Sequence, residues 1–253
     1  SISNLDLKEV NIVGTYDSAA LARSADNARI TDVSAQGRVS VVGNASQVAG
    51  LVVVASNSKI TNSSFTGTIQ TNDKQYKAYN VGGLVANLKG GNSLLSQSRA
   101  DVTILAGART NEQRFGGLVG RLEDNARISR SYVTGKIKNS TKNGQIGGVV
   151  GSNYFNGLIN NVISNVSGTN VYSISGDQDY KNDRIKEAYA VEGNETLGND
   201  QFVTSTLSLD EAEEKLASLD IRTTLEDSNL NLHKIDYSKE KNAREDRLIA
   251  YAN

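Results

Sequence analysis

Few residues of this chain combine into a pattern that could do chemistry. Its one histidine, His233, stands between Leu232 and Lys234. A zinc hydrolase helix needs two histidines four residues apart with a glutamate between them, so that motif cannot exist here. A lone histidine can act as a base only beside a nucleophile, and no Gly-x-Ser-x-Gly elbow accompanies it. Asp177, Asp179 and Asp183 resemble part of a calcium loop. An EF-hand would need Asp or Asn where Lys181 stands, a glycine after it and an acidic twelfth position, so a solvated acidic turn is expected. Glu123, Asp124 and Asp101 raise glycoside cleavage, which needs two carboxylates about 5–9.5 Å apart. The acidic residues are scattered among loops, in no column shared by adjacent coils. The Gly-Gly pairs precede no Lys-Ser/Thr and open no helix, so they are not phosphate loops. The residues therefore assign no catalytic, cofactor-binding or metal-ligating position.

Composition narrows the rest. With 27 basic and 28 acidic residues the net charge is −1, so no global field draws the chain to nucleic acid or an anionic membrane. Cysteine is absent, which excludes a disulfide framework and a thiolate metal site. No run reaches the roughly 18 apolar residues of a membrane helix. Methionine is absent even at position 1, which points to an excised or processed segment. Proline is absent too. Stacked strands paired on both edges exclude it, because each needs its backbone donor.

What positions the residues is a repeat. Aligning on the first apolar residue of a recurring strand gives Leu7, Ile30, Ile60, Leu95, Ile128 and Ile159. Three residues earlier each unit has asparagine: Asn4, Asn27, Asn57, Asn92, Asn125 and Asn156. Asparagine tolerates the left-handed region and bonds its own backbone, which suits a corner. Five positions after the anchor lie Ile12, Ala35, Phe65, Ala100 and Val133, with Ser164 as an exception that suggests a register shift. Seven positions after it lie Gly14, Gly37, Gly67 and Gly135, interrupted by Val102, and nine after it Val39, Ile69, Ile104 and Ile137. Upstream of the anchors runs a glycine-led strand: Gly50-Leu-Val52, Val81-Gly-Gly-Leu-Val85, Phe115-Gly-Gly-Leu-Val-Gly120 and Ile146-Gly-Gly-Val-Val-Gly151.

Three short strands per 30–35 residues, with no amphipathic helix, predict a solenoid. The expected fold is all-β: a right-handed parallel β-helix of about six coils over residues 1–170. Residues 171–253 are expected to form a mixed cap and helical linker. Polar segments from Thr71 to Tyr79, Ala106 to Arg114 and Asn139 to Gln145 read as loops thrown from one corner. Lys74, Tyr76, Lys77 and Tyr79 put charge and aromatics on one of them. Ser208 and Glu211 form a capping box, and Leu209, Ala212, Leu216 and Leu219 share a helical face. That helix is expected to cover the open end of the solenoid, and a second is expected at about Lys239–Tyr251.

The Gly-Gly-Leu-Val-Gly units resemble the GLUG-type repeat of bacterial surface proteins. The stretch from Ile146 to Val166 and the tail segments Ile235-Asp-Tyr237 and Arg244–Asn253 resemble the region preceding the catalytic domain in streptococcal IgA1 proteases and related zinc metalloproteases. The resemblance implies a non-catalytic middle domain of an extracellular or wall-attached zinc endopeptidase that cleaves host glycoproteins such as IgA1. Zinc would belong to the parent's catalytic domain, held by a His-Glu-x-x-His motif that nothing here matches. The partners so implied are that catalytic domain and a host immunoglobulin or other glycoprotein, with no nucleic acid or membrane. Two other readings stand beside it: a structural or adhesive stalk, and a polysaccharide-active β-helix.

Overall fold

The computed structural model describes residues 1–43, 45–71, 78–106, 112–139, 144–178, 184–198 and 200–221. The first two coils contain β1 (Ile2–Gly14), β2 (Ala22–Asp26), β3 (Arg29–Val41), β4 (Gln47–Ala49) and β5 (Val52–Ser56). The next two contain β6 (Lys59–Thr61), β7 (Ser64–Thr71), β8 (Asn80–Gly82), β9 (Val85–Lys89), β10 (Leu94–Ser96), β11 (Arg99–Ala106), β12 (Arg114–Gly116) and β13 (Val119–Glu123). The fifth adds β14 (Arg127–Asn139), β15 (Gln145–Gly147) and β16 (Val150–Asn153), and the chain continues through β17 (Leu158–Ser167), β18 (Ile185–Val191), β19 (Ser205–Leu207) and the helix α1 (Leu209–Ala217). Every strand pairing among these is parallel.

The result is a β-solenoid with three faces. One face is the long sheet from β1 to β19; β4, β8, β12 and β15 form the second, and β2, β5, β9, β13 and β16 the third. About five full turns are present. In the turn begun by β17 the other two faces shrink to single bridges, Gly147 to Tyr172 and Val150 to Ser175. The ladder nevertheless continues past residue 170, because Ile185 stacks on Ile159 and Val191 pairs with Leu207.

The inner columns match the expected register from the second coil onward. Ile30, Ile60, Leu95, Ile128 and Ile159 stack in one column, each 1% exposed or less. Ala35, Phe65, Ala100 and Val133 form the next, and Ser164 pairs directly with Val133. The expected register shift at Ser164 does not occur; the serine is buried in its column. Gly37, Gly67, Val102 and Gly135 also stack as read.

The first coil is different. Ile2, not Leu7, lies beside Ile30, while Leu7 pairs with Ala35 and Gly14 with Val41. Val10 takes the place expected for Gly14, after an irregularity between Leu7 and Val10 where Glu9 has φ 54°. The cause is a second bend that the sequence pattern conceals. Two residues beyond the true anchors stand Asn4, Asp32, Asn62, Gln97, Arg130, Asn161 and Glu187, all with φ between 43° and 57°. Asn4 belongs to this bend rather than to the first one. The first bend uses Asn27, Asn57, Asn125 and Asn156 at φ 47–65°, whereas Gly90 at φ 93° makes it in the fourth coil in place of Asn92.

Buried serines satisfy the amides that these bends remove from the ladder. The Val33, Ser63 and Ser98 amides donate to Ser63, Ser98 and Ser131 Oγ of the following coil at 3.3, 3.1 and 3.3 Å. Each of these hydroxyls donates in turn to the carbonyl two residues back, Thr61, Ser96 or Ser129, at 2.8–2.9 Å. A shorter ladder, Ser58 and Ser93, serves the first bend. Ser98→Ala would leave the Ser63 amide buried and unpaired, with an expected cost of about 1–3 kcal/mol in denaturant unfolding. Ser64→Ala, on the outer face, should stay within about 0.5 kcal/mol.

α1 begins with the expected capping box: Ser208 Oγ accepts from the Glu211 amide at 3.3 Å, and Glu211 accepts from the Ser208 amide at 2.8 Å. Ala212, Leu216 and Leu219 are buried, but Leu209 is exposed, so it does not join the packed face. The helix rests with Tyr132, Ile163 and Val191 against the outer side of the last coils, not over the solenoid's end. Burial there pushes the Tyr132 hydroxyl up to about 12. The second helix expected at Lys239–Tyr251 lies outside the described residues.

Candidate functional site

The glycine-led strand creates the most distinctive surface, and each glycine has its own steric reason. In β12, Phe115 points inward and is fully buried, so Gly116 faces outward. A Cβ on Gly116 would lie 1.9 Å from the Val119 carbonyl oxygen, and Gly82 and Gly147 meet Val85 and Val150 in the same way at 1.9 and 2.2 Å. Gly117 faces the interior, where a Cβ would meet the Gly148 carbonyl at 2.1 Å and Val133 Cγ2 at 2.7 Å. Gly120 faces outward again, against the backbone of Ala86 and Val81. The second and third faces therefore meet at a re-entrant corner that presses inward on the long sheet. Leu51, Leu84 and Leu118 fill the interior beside it, all 0% exposed. On the outside the same corner is a narrow groove between the two faces, its floor closed by glycine backbone.

Polar side chains line that groove. Gln47, Asn80, Arg114 and Gln145 stack on one wall, and Asn87, Arg121 and Ser152 on the other. Asn80 donates to Gln47 at 3.2 Å, and Asn87 donates to Glu123 at 3.0 Å. Arg121 pairs with Glu123 at 2.7 Å and lies 5.0 Å over the Tyr154 ring. Burial and the neighbouring Arg121 guanidinium draw the Arg114 guanidinium below its usual range, while Glu112, Asp177 and Glu123 act in the opposite direction. Asn80 Oδ1, Asn87 Oδ1, Arg114 Nε, Arg121 Nε, Gln145 Oε1 and Asn153 Oδ1 are buried without a hydrogen-bond partner among the described residues. At the groove's end Phe155 is 54% exposed at φ 50°, an unusual conformation for a bulky residue, with its ring edge-on to Tyr154.

The structure does not gather the carboxylates considered for catalysis. Glu123 is engaged by Arg121 and Asn87 on the third face, whereas Asp101 lies on the long sheet in β11. Asp124 is exposed in a turn at φ 58°. Asp177 is buried and accepts from Ser152 Oγ at 3.2 Å. Asp179, Asp183, His233, Lys74, Tyr76 and Lys77 lie outside the described residues; Tyr79 is 41% exposed. Among the described residues no group of three or more His, Cys, Asp or Glu side chains could hold a metal ion. β7, β11 and β14 end at Thr71, Ala106 and Asn139, and β8, β12 and β15 begin at Asn80, Arg114 and Gln145; the predicted loops between them lie largely outside the described residues. The groove was not foreseen, although the outward glycines at 116 and 120 carried its signal.

Residues 111–138 match the GLUG motif family, and this segment runs from the re-entrant corner through the stacked anchor column. Over its whole length the chain is 39% identical to the zinc metalloprotease ZmpC of Streptococcus pneumoniae serotype 4 and 36% identical to the immunoglobulin A1 protease of Streptococcus sanguinis. A solved IgA1 protease structure superimposes on 91% of the chain with a TM-score of 0.75 at 28% identity. The chain is related to a segment of the streptococcal IgA1 proteases and zinc metalloproteases. It spans only 14% and 15% of the two curated relatives and 19% of the solved chain. This IgA1-protease-type segment thus corresponds to a small part of much longer proteins. Among its described residues, no helix is long and apolar enough to cross a membrane.

Proposed function

We propose that this segment is a non-catalytic accessory domain of an extracellular zinc metalloendopeptidase, a rigid scaffold that helps present a protein substrate to a catalytic domain elsewhere in the same polypeptide. The observation that carries this reading is the mismatch in coverage: the relatives named as zinc or IgA1 proteases match the chain end to end, yet it makes up about a seventh of their length. The parallel ladder suits a spacer, because a solenoid braced coil on coil transmits position along its axis. The polar groove with Arg114, Arg121 and Tyr154 is the surface best suited to touch a glycoprotein partner, whose peptide and sugar groups need donors and an aromatic face.

Deleting residues 1–221 from the parent protease tests this. The shortened enzyme is expected to keep its zinc and its turnover of a short peptide. Cleavage of the intact protein substrate should fall, chiefly through a raised KM. Loss of zinc or of peptide cleavage in a folded shortened enzyme would contradict an accessory role.

A further inference from the structure

A second surface, on the long sheet, carries an inference about a polymeric ligand. Between the two bends each coil turns two side chains outward, one on either side of its anchor. From Lys59 onward the first column reads Lys59, Leu94, Arg127, Leu158 and Arg184, so cation and leucine alternate coil by coil. The second reads Thr61, Ser96, Ser129, Asn160 and Lys186. Neither column contains an acidic residue. Around the leucines lies an open groove of about 690 Å³. Lys59, Arg127 and Lys186 are exposed, and Leu94 and Leu158 are half-buried. The bends at its margins add Arg130, opposed by Asp124 and Glu187. In a chain of net charge −1 this face is a local excess of cations.

The spacing limits the ligand. Coils stack about 4.8 Å apart, so the cations of the first column recur at about 9.6 Å with an apolar step between them. A polyanion in register with them carries a charge at every second step and an uncharged unit at the step between. A peptide strand places side chains of one face about 6.7 Å apart, which is out of register. A polyproline-type peptide repeats at about 9.3 Å, but such peptides dock in aromatic-lined grooves. No aromatic residue is among the described residues that line this one. Single-stranded nucleic acid is charged at every unit and needs aromatic platforms for its bases. A glycan meets each condition. An extended chain of sugar rings advances by roughly one coil step per ring, its C–H faces cover patches the size of a leucine, and its hydroxyls bond to groups such as Ser129 and Asn160.

We propose that this face binds an acidic glycan whose carboxylates recur on every second sugar. Lys59, Arg127 and Arg184 face the charged sugars, and Leu94 and Leu158 the uncharged ones. No carboxylate is among the described residues lining the groove, so it holds the glycan without the acid–base pair that cleavage needs. Bound in this way, the segment anchors the polypeptide it belongs to at a glycan-bearing surface. The site is separate from the re-entrant corner and stands whether or not the accessory role holds.

Titration of the 253-residue chain with oligomers of matched length tests this. The probes are hyaluronate, charged on every second sugar, oligogalacturonate, charged on every sugar, and oligoglutamate. Hyaluronate is expected to bind tightest. Arg127→Glu and, separately, Lys59→Glu should each weaken it about tenfold, since each removes an attraction and adds a repulsion. Both side chains are exposed, so the circular dichroism spectrum should not change. Lys136→Glu makes the same change of net charge on the long sheet outside the groove and should leave binding unaltered. Leu94→Lys breaks the alternation and should shift the preference toward oligogalacturonate. No binding of hyaluronate, or equal binding of hyaluronate and oligogalacturonate by the unaltered chain, would overturn the proposal. Tighter binding of oligoglutamate would assign the face to an acidic peptide and overturn it too, as would an equal loss of hyaluronate binding in Lys136→Glu.

Discussion

Phe65→Ala is expected to destabilise the solenoid by about 3–5 kcal/mol, the cost of emptying a fully buried aromatic site. Phe65 is 0% exposed, and its column neighbours are the small Ala35 and Ala100. Its ring fills space that those alanines leave open, and it packs beneath the re-entrant corner, where a Cβ on Gly50 would lie 2.4 Å from Phe65 Cγ. Neither alanine can extend into the vacancy, so the cavity cannot close without moving backbone. The loss should be local as well as large, because each coil leans mainly on its neighbours. Amide exchange should accelerate first in β3, β7 and β11, with β17 less affected. Uniform acceleration across all coils would show that the solenoid unfolds as a single unit.

Gly83→Ala is expected to cost about 3 kcal/mol, at the upper end of overpacking effects. The added Cβ would lie 1.8 Å from the Gly117 carbonyl oxygen and 3.2 Å from the Ala100 Cβ. The first of these neighbours is backbone in a paired coil, which cannot rotate away as a flexible side chain would. The proper comparison is Gly91→Ala in the adjoining turn, where the nearest atom is 3.9 Å away and the change should stay within about 0.5 kcal/mol. Thermal unfolding of the two variants separates a steric role for the glycine from a general loss of chain flexibility, since both substitutions stiffen the unfolded chain equally.

Much of this architecture was legible in the sequence, for a physical reason. Coils of nearly equal length stack like on like, so Ile30, Ile60, Leu95, Ile128 and Ile159 announce one buried column, and the Gly-Gly pairs announce a corner without room for side chains. The second bend was not legible, because Gln97, Arg130 and Glu187 adopt left-handed backbone despite having no local preference for it; the flanking coils impose it. Asn4 then misled the alignment of the first coil, since asparagine suits either bend. The serine ladders were silent because a buried hydroxyl looks, in sequence, like any surface serine. Past residue 170 only Ile185 keeps a large side chain in the inner columns, beside the small Ala188 and Ala190, too little to stand out as a strand core, and the ladder's continuation was missed with them. At the candidate site, the polar residues of the groove belong to different coils some 30 residues apart, and only the outward glycines between its walls bring them together.

The central claim is that this segment is a scaffold whose parent holds its zinc elsewhere. Metal analysis after dialysis, run in parallel on the 253-residue chain and on the full-length protease, tests that most directly. The account predicts no stoichiometric zinc in the segment and one catalytic zinc in the full-length protein. One tightly held zinc per segment, or a full-length protein that binds none, would contradict it.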